Sequence, residues 1–466
     1  MVGALKSNRC DTCRLRKIKC DQAWPLCGPC RRSNRHCPPR SSLKVIDDGA
    51  TVRRKHTASL RGKANVGNDI SGLFIEETIP LSPSERLVCA FTSCLHTETP
   101  SRSLNHLGAS LSQMPRHFGS SSALDSVAAC MVDSHSTITR DTKTPCSIKP
   151  QLHARALRSV QEAINDPKEW NSTNTLCAVL LLHRIESVFG ESLGSNMLVH
   201  GSGLAALVQK RGPPDPSNTF DCAVIADGHM CIVEHALLRH TDCFLSQREW
   251  SASLDTLQGK SRIQTIYYKL LRQMSTWPTL IREKLEHKEG KPTLISLLGR
   301  IYHLRKELHD ICIELDTLIY EENLVSRTVS TCVPGLVDEM FQIQDPTVAL
   351  ALCYHAMYSI IVLRILWSLA DNDALCQSEL EIEILGLSQR IWMLIDHGRR
   401  YKPLGLPILS VSLALTLESV NWEEREQITA LVNNLESSEG LLYASWTSET
   451  LINQVRVYRG DRLVNT

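Results

Sequence analysis

The order of apolar and polar residues divides the chain into a short polar head and a long body with helical periodicity. From Ser82 onward apolar residues recur every three or four positions, as in SPSERLVCAFTSCL, where Ser82 and Ser84 can cap the first helix. The same pattern returns in QLHARALRSVQEAI, TNTLCAVLLLHRIESVF and SNMLVHGSGLAALVQKR. Alternating strands and a βα rhythm do not recur. The pattern therefore predicts a large all-α helical domain over residues 82–466 and weighs against sheet-based enzyme folds.

Some parts of the body depart from this regular pattern. The interval from about Thr97 to Pro150 is rich in Ser and Thr, which predicts loops with one helical island near residues 124–132. A later helix is expected from about Asn196 and should stop at Gly212, because a glycine followed by two prolines ends a helix. The glycines inside this helix are expected to let a neighbouring element approach closely.

The longest apolar stretch, residues 348–370, could be a membrane span or a core helix. His355 and Arg364 interrupt it, and a charge in the middle of a membrane span is costly. We therefore predict a buried central helix and no membrane association.

Another helix carries a 3-4 repeat of apolar residues, the spacing of a dimerising coiled coil. The repeat consists of Leu294, Leu297, Ile301, Leu304, Leu308, Ile311, Leu315 and Leu318. Further apolar residues widen this stripe, which favours the core of a helical bundle over a two-position seam. These are Ile295, Leu298, Cys312 and Ile319.

Length and charge agree with two parts of unequal size. The chain has 466 residues, 42% of them hydrophobic, which is enough for one large core beside a small module. The net charge of +1 hides an asymmetry, because residues 1–63 hold 16 Lys and Arg against 4 Asp and Glu. The head is therefore net +12 and the remainder about −11. A basic head on an acidic body suits a phosphate-binding end and a body that phosphate repels.

Six cysteines lie in the basic head, and their spacing contains a repeat. The pattern C-x2-C-x6-C occurs twice, and six residues separate the two copies. Zinc prefers four ligands in a tetrahedron, so six thiolates satisfy two zinc ions when two of them bridge both ions. The first cysteine of each half, Cys10 and Cys27, is the predicted bridge. The other ligands would be Cys13 and Cys20 on one ion and Cys30 and Cys37 on the other.

This segment resembles the fungal Zn2Cys6 binuclear-cluster transcription factors. The likeness covers all six cysteines, the basic run RLRKIK and Pro25, which corresponds to a loop proline that is typically cis in that family. The resemblance implies two zinc ions, a short helix from about Asp11 that enters the major groove of double-stranded DNA, and Lys17 as the residue that reads a CGG-type triplet. It implies DNA contacts for Arg14, Arg16, Lys17, Lys19, Arg31 and Arg32.

A second motif resembles a signature of one class of fungal-specific transcription factor domain. It is the pattern H-x2-G-x3-L-x3-RGP, formed by His200, Gly203, Leu207, Arg211, Gly212 and Pro213. The two resemblances together imply a nuclear regulator of RNA polymerase II transcription that controls a metabolic or biosynthetic gene set. They also imply coactivators or the transcription machinery as partners. A homodimer through the helical domain and an apolar small-molecule effector are further partners that this family suggests.

The expected organisation is a small zinc-scaffolded two-helix module over residues 1–40, a flexible basic linker over 41–81 and the all-α regulatory domain over 82–466. The linker contains a second basic patch, Arg53 to Lys55, which suits either phosphate contact, nuclear import or plain solvation. Its apolar residues keep no heptad spacing. Monomeric binding, or dimerisation through the large domain, is therefore expected.

Several alternatives follow from the same residues. A disulfide framework is disfavoured because MVGALKSNRC lacks the apolar segment of a secretory signal. A zinc module that binds protein instead of DNA stays open as the alternative function. The pattern Gly190 to Gly194 matches the G-x-S-x-G motif of hydrolases, but a helical pattern precedes it where a strand is required, so Ser192 is interpreted as a loop residue and no enzyme is expected.

Two further clusters are weighed against plainer interpretations. One contains potential metal ligands in spacings that match no zinc pattern, and buried core residues are the expectation. Its members are Cys222, His229, Cys231, His235, His240 and Cys243. The other is an acidic stretch that could recruit coactivators, although a solvated helix face accounts for it equally. Its members are Asp371, Asp373, Glu379, Glu381 and Glu383.

Overall fold

The computed structural model describes two compact units, Met1–Ile79 and Pro80–Thr466. The described residues are 10–21, 27–35, 37, 81–139, 148–190, 195–256, 261–288, 294–330, 335–370, 374–402, 404–405, 408–436 and 446–461. The predictions for Pro25, for the linker with Arg53 to Lys55, for Ser192 and for Asp371 and Asp373 lie outside these residues. The same holds for the side chains of Asp11 and Arg14.

The first unit contains two short helices, α1 (Asp11–Leu15) and α2 (Gly28–Arg32). Each begins directly after a cysteine of the repeat, Cys10 or Cys27. Both cysteines are buried, as are Cys13 and Cys30 within the helices. Cysteine sulfurs thus form the centre of a unit that has no other apolar core among its described residues.

The described part of the second unit is mostly helical. Its helices are α3 (Pro83–Leu95), α4 (Ser122–Thr139), α5 (Pro150–Asn165), α6 (Thr173–Phe189), α7 (Ser195–Arg211), α8 (Thr219–Leu238), α9 (Arg248–Thr256), α10 (Arg262–Met274), α11 (Trp277–Lys288), α12 (Leu294–Glu321), α13 (Pro346–Leu369), α14 (Ala374–Trp392), α15 (Ile395–Arg400), α16 (Leu409–Thr416), α17 (Trp422–Glu436) and α18 (Ser448–Val457). Short 3-10 turns lie at Pro100–Arg102, Leu104–Leu107, Ala109–Ser112, Met114–His117, Phe244–Ser246 and Leu417–Ser419.

Local signals in the sequence explain where several of these helices begin and end. Ser82 caps α3 through a capping box, in which its Oγ accepts from the amide of Glu85 at 3.2 Å and the Glu85 carboxylate accepts from the amide of Ser82 at 2.6 Å. Gly212 ends α7 with φ of 89°, a conformation that favours glycine. Both boundaries agree with the prediction from sequence.

Helix α13 is the centre of the second unit, as its apolar sequence predicts. It packs against α10, α12, α14 and α16. Among the described residues it is the helix that is long and apolar enough to cross a membrane, and 94% of its apolar window is buried inside the body. Its two polar interruptions have partners within the unit, because Nε2 of His355 donates to the carbonyl of Leu308 at 3.0 Å and Arg364 pairs with Glu381 at 2.5 Å. The buried Nδ1 of His355 and Nε of Arg364 have no partner among the described residues. The polar residues therefore belong to a protein core.

The all-α prediction is wrong at one place, where the chain forms a β-hairpin. Strands β1 (Val325–Val329) and β2 (Glu339–Ile343) pair antiparallel, with Val325 opposite Ile343. Phe341 also donates its amide to the carbonyl of Met393 at 2.9 Å, which attaches β2 to the residue after α14. Each strand has only five residues and β1 is largely exposed, so the alternation is too short to be recognised in the sequence.

The Ser- and Thr-rich interval is more ordered than predicted. Its first part forms successive 3-10 turns whose Leu104, Leu107, Leu111 and Met114 are buried, and the helical island extends to the whole of α4. The turns are attached to α8, because the carboxylate of Asp227 accepts from the amides of residues 109 and 110 at 3.0 and 2.8 Å. Tertiary hydrogen bonds of this kind have no local sequence pattern.

Helix α12 belongs to the core through its 3-4 repeat, as expected. Seven residues of the repeat are buried: Leu297, Ile301, Leu304, Leu308, Ile311, Leu315 and Leu318. The argument from stripe width is wrong for Ile295, which is 88% exposed, whereas Leu298, Cys312 and Ile319 are half-buried. The helix thus has one buried stripe and a separate exposed apolar position.

Three buried histidines predict that mild acid destabilises the second unit. Burial lowers the pKa of His355 and of His397 to about 4, and that of His229 to about 3. Between pH 6.5 and these values the unfolded chain binds protons that the folded chain does not. The free energy of unfolding therefore decreases as the pH is lowered through this window and levels off below it. We expect urea unfolding at pH 5 to give a free energy lower by at most about 2 kcal/mol per histidine than at pH 6.5.

The substitution His397→Phe should reduce this pH dependence by the share of one histidine, because it removes the group that fails to protonate in the folded state. The matched control is His303→Phe on the exposed side of α12, which should leave the pH dependence unchanged. An identical pH profile for His397→Phe and the wild type would contradict the explanation.

Candidate zinc centre and nucleic-acid interface

The six cysteine sulfurs of the first unit form two overlapping groups of four. Within each group all sulfurs lie within 4.8 Å of one another. The first group is Cys10, Cys13, Cys20 and Cys27, and the second is Cys10, Cys27, Cys30 and Cys37. The groups share the two cysteines that the sequence repeat predicts as bridging ligands.

The separations between sulfurs fit zinc. The Sγ of Cys10 lies 3.7 Å from that of Cys27 and 3.8 Å from that of Cys30, and the sulfurs of Cys13 and Cys27 are 3.6 Å apart. Four sulfurs at about 2.3 Å from one zinc ion in a tetrahedron are about 3.8 Å apart. None of the described cysteines forms a disulfide. Thiolates this close repel one another, so the donor set is suited to a divalent cation.

The two halves of the unit have the same backbone at their helix ends. Lys17 follows α1 with φ of 54°, and Asn34 follows α2 with φ of 47°. In the first half the amide of Ile18 donates to the carbonyl of Cys13 at 3.1 Å, and in the second the amide of Arg35 donates to that of Cys30 at 3.0 Å. Each helix therefore ends in the same left-handed turn, seven residues after the first cysteine of its half.

The left-handed position suits the two residues differently. Asn tolerates this conformation, whereas a lysine there is strained by about 1 kcal/mol. Strained residues that the surrounding fold holds in place are concentrated at functional sites. The side chain of Lys17 is exposed just after α1. Its backbone is held between the helix end and the neighbouring cysteines. Lys17 thus presents a positive charge at the surface of the cluster from a constrained backbone position.

Two further contacts hold the halves together. Both carboxylate oxygens of Asp21 accept from the amide of Gly28, at 3.0 and 2.9 Å. A Cβ at Gly28 would lie 2.3 Å from Oδ2 of Asp21, so a larger residue would displace this carboxylate. The second contact joins the helix ends, because Arg16 donates to Oγ of Ser33 at 3.1 Å. Asp21, Gly28 and Ser33 were not predicted from the sequence, since no spacing rule marks them.

The basic residues that the resemblance assigns to DNA are mostly on the surface. Exposed side chains belong to Arg16, Lys17, Lys19, Arg31 and Arg32. The side chain of Arg16 is held by its hydrogen bond to Ser33. The side chains of Lys17 and Lys19 form no hydrogen bond of this kind in the described region. A compact sulfur centre surrounded by exposed cations can attract a polyanion and present a few fixed donors to it.

The G-x-S-x-G pattern of hydrolases begins at Gly190, which follows a helix. Helix α6 ends directly before Gly190, whereas a nucleophile elbow follows a strand. His200, the nearby basic residue, instead lies 3.0 Å from the carboxylate of Glu186, whose other oxygen lies 2.8 Å from His153. Burial raises the pKa of the Glu186 carboxyl, but the two histidines outweigh burial and the pKa is lowered. His200 therefore holds α7 to α6.

The other residues of the second motif also have structural roles. Arg211 forms a paired salt bridge with both carboxylate oxygens of Asp221 and donates to the carbonyl of Asn171 at 2.7 Å. This contact joins the end of α7 to the start of α8. The expected close approach at Gly203 is wrong, because a Cβ there would meet nothing within 4 Å.

The other candidate clusters give no second metal centre among the described residues. Cys231 instead pairs with His183, whose Nε2 lies 2.8 Å from its sulfur, and His229 is buried with both ring nitrogens unpaired. Two members of the acidic stretch are used within the body, because Glu381 pairs with Arg364 and Glu383 with Arg305. Of the potential metal ligands, Cys222, His229, Cys231 and Cys243 are buried as expected, whereas His235 is half-buried and His240 is exposed.

Comparison with known protein families finds one match in the first unit. Residues 9–44 match the family described as the fungal Zn(2)-Cys(6) binuclear cluster domain. Comparisons with curated proteins and with solved structures give no match. The match does not extend to the second unit, so the assignment of the fungal-specific domain stays a prediction. The first unit thus contains a zinc cluster domain that binds two zinc ions and is typical of DNA-binding regulators of transcription in fungi.

Proposed function

We propose that this protein is a nuclear, sequence-specific regulator of RNA polymerase II transcription that recognises a CGG-type triplet. The observation that carries the proposal is the pair of overlapping four-sulfur groups within a surface of exposed Lys and Arg. Phosphates attract such a surface whatever the base sequence, and a side chain fixed at the end of a groove-binding helix adds base discrimination. Lys17 lies just after α1, and this location supports the proposal that it reads bases.

In this proposal the six cysteines hold the two zinc ions, with Cys10 and Cys27 shared between them. The ions supply structure and no catalysis. A segment of about forty residues has too little apolar surface to fold without such a support. The sulfurs provide the buried centre, and the basic side chains around them offset the negative charge of the thiolates.

The basic residues then divide into two classes. Lys17 reads base edges in the major groove, and Arg14, Arg16 and Lys19 add contacts to base edges or phosphates beside it. Arg31 and Arg32 lie in the last turn of α2 and contact the phosphate backbone. Lys17 and Asn34 occupy matching left-handed positions in the two halves, but only Lys17 is charged. This difference supports a special role for Lys17.

The second unit serves as the regulatory domain in this proposal. Its acidic charge repels phosphate, which keeps the DNA contact in the basic head. Coactivators or the transcription machinery are the partners that the family resemblance suggests. Control of one metabolic or biosynthetic gene set, with an apolar effector, rests on that resemblance alone.

The alternative function is a zinc module that binds a protein partner without reading DNA sequence. A selection from random double-stranded oligonucleotides with the full chain separates the two. Enrichment of a CGG-type triplet supports the proposal, and recovery of unenriched sequences would favour the alternative. The number and spacing of enriched triplets also reports how many clusters bind together.

Removal of zinc should abolish DNA binding together with the fold of the first unit. A strong chelator added to the full chain should release two zinc ions per chain and eliminate binding to the selected site. Fluorescence anisotropy of labelled DNA and a colorimetric zinc assay measure both events. Binding that survives complete loss of zinc would show that the metal has no structural role in recognition.

Substitution of Lys17 and of Arg31 should affect DNA binding in different ways. Lys17→Ala should cost about 1 to 3 kcal/mol on the selected site and less on random DNA, because a base contact is lost. Arg31→Ala should weaken both DNAs alike and reduce the salt dependence, because a phosphate contact is lost. Anisotropy titrations at two salt concentrations measure both effects. Equal losses on both DNAs for both variants would contradict these roles.

The strain at Lys17 gives an independent test of its role. Lys17→Gly should stabilise the first unit by about 1 kcal/mol, since glycine adopts the left-handed turn freely, yet it should lose base selectivity. The matched control is Asn34→Gly at the same place in the second half, which should change neither stability nor selectivity much. The rate of zinc loss to a chelator measures stability. A Lys17→Gly variant that loses zinc faster and keeps its selectivity would contradict the proposal.

A further inference from the structure

Helix α12 carries a second apolar stripe on the side opposite its buried one. The stripe consists of Ile295, Tyr302, Ile313 and Tyr320, which are 88%, 52%, 54% and 88% exposed. At about 100° per residue these four residues fall within about 20° of one line, roughly opposite the buried repeat. They extend over about 38 Å of helix. We call these four residues the outer stripe.

The neighbouring helices cover both flanks of α12 but leave the outer stripe free. On one flank α14 is attached through the ion pairs of Arg305 with Glu383 and of Asp316 with Arg390. On the other flank α10 is attached through Lys269, which lies 2.8 Å from Glu314. The outer stripe lies between these flanks and makes no core contact in the described part of the chain. The fold therefore orients it away from the body.

The outer stripe has the same spacing in both directions along the helix. Its intervals are 7, 11 and 7 residues, so the pattern is symmetric about a point between Glu307 and Leu308. An antiparallel copy of α12 would place Tyr320 against Ile295 and Ile313 against Tyr302, each pair occurring twice. An interface with twofold symmetry requires this self-complementarity, in which residue i contacts j and j contacts i.

Charged and small residues beside the outer stripe follow the same symmetry. In the antiparallel arrangement Lys306 of one copy lies beside Asp310 of the other, again twice. Neither residue forms an ion pair within the described region. Gly299, where a Cβ would meet nothing within 4 Å, would lie opposite Thr317 and allow close approach of the helices. Apolar, charged and small positions thus all match a second copy of this helix.

We propose that the outer stripe of α12 is the interface through which two copies of this protein form an antiparallel, twofold-symmetric dimer. A second copy is favoured over an unrelated partner because the matching residues all lie on one helix and pair about midpoints that agree within half a residue. Exposed apolar residues in one line on a helix can act as anchors for a facing helix.

Sedimentation equilibrium of the full chain without DNA tests the interface. The wild type should be a dimer at micromolar concentration. Ile313→Glu places a charge opposite Tyr302 twice per dimer and should weaken association by about 100-fold or more. The matched control is Val329→Glu, an exposed apolar residue on β1 outside the stripe, which should leave association unchanged. Circular dichroism verifies that both variants remain folded.

Charge reversal tests the register. Lys306→Glu alone and Asp310→Lys alone should each weaken the homodimer, because like charges then meet twice. A mixture of the two variants should associate more tightly than either alone, since both pairs in the mixed dimer have opposite charges. Contacts within one chain cannot produce recovery on mixing. A monomeric wild type, or a dimer that neither Ile313→Glu nor charge reversal weakens, would overturn the proposal.

The consequence for DNA rests on the proposed function. A dimer joined through the body would present two zinc clusters, so the selected DNA should contain two triplets, whereas Ile313→Glu should select one. The failures are distinguishable. A wild-type protein that is monomeric but still selects a triplet refutes only the interface. A wild-type dimer that selects no triplet refutes only DNA recognition.

Discussion

Repulsion among six sulfurs determines the form of the first unit. Cysteine side chains within 4.8 Å of one another cannot all be thiolates unless a cation lies among them, and the unit has no other buried core in its described residues. Everything else follows from bringing these sulfurs together. Two short helices supply neighbouring cysteines, Gly28 allows the Asp21 carboxylate to approach, and two left-handed turns direct the chain back toward the centre.

The sequence predicted this centre well because its information is local. A repeated spacing of cysteines determines which sulfurs can meet, and a basic run beside them indicates a polyanionic partner. The hydrogen bonds of Asp21 and Arg16 could not be predicted, since they join residues of different halves whose meeting depends on the folded backbone. The family resemblance already singles out Lys17 among the cations of the basic run, but its left-handed backbone conformation could not be predicted for the same reason.

In the second unit, apolar periodicity predicted the long buried helices. It did not predict the short elements whose apolar residues form no regular repeat. The apolar run of α13 and the 3-4 repeat of α12 are in the core because a repeat over several turns has one physical explanation. The hairpin at residues 325–343 and the turns before α4 were missed, because a few buried residues in an otherwise polar segment form no period. Ile295 shows the opposite error, since an apolar residue beside a core stripe can be exposed.

The two cysteines shared by both four-sulfur groups affect how the cluster responds to metal supply. An ion held by the first group would also hold Cys10 and Cys27, so half of the second group would be prepared for a second ion. Loading would then be cooperative, and a chain with one ion would be a minor species. Availability of the metal would switch this domain between empty and complete states over a narrow concentration range, instead of grading its activity in proportion.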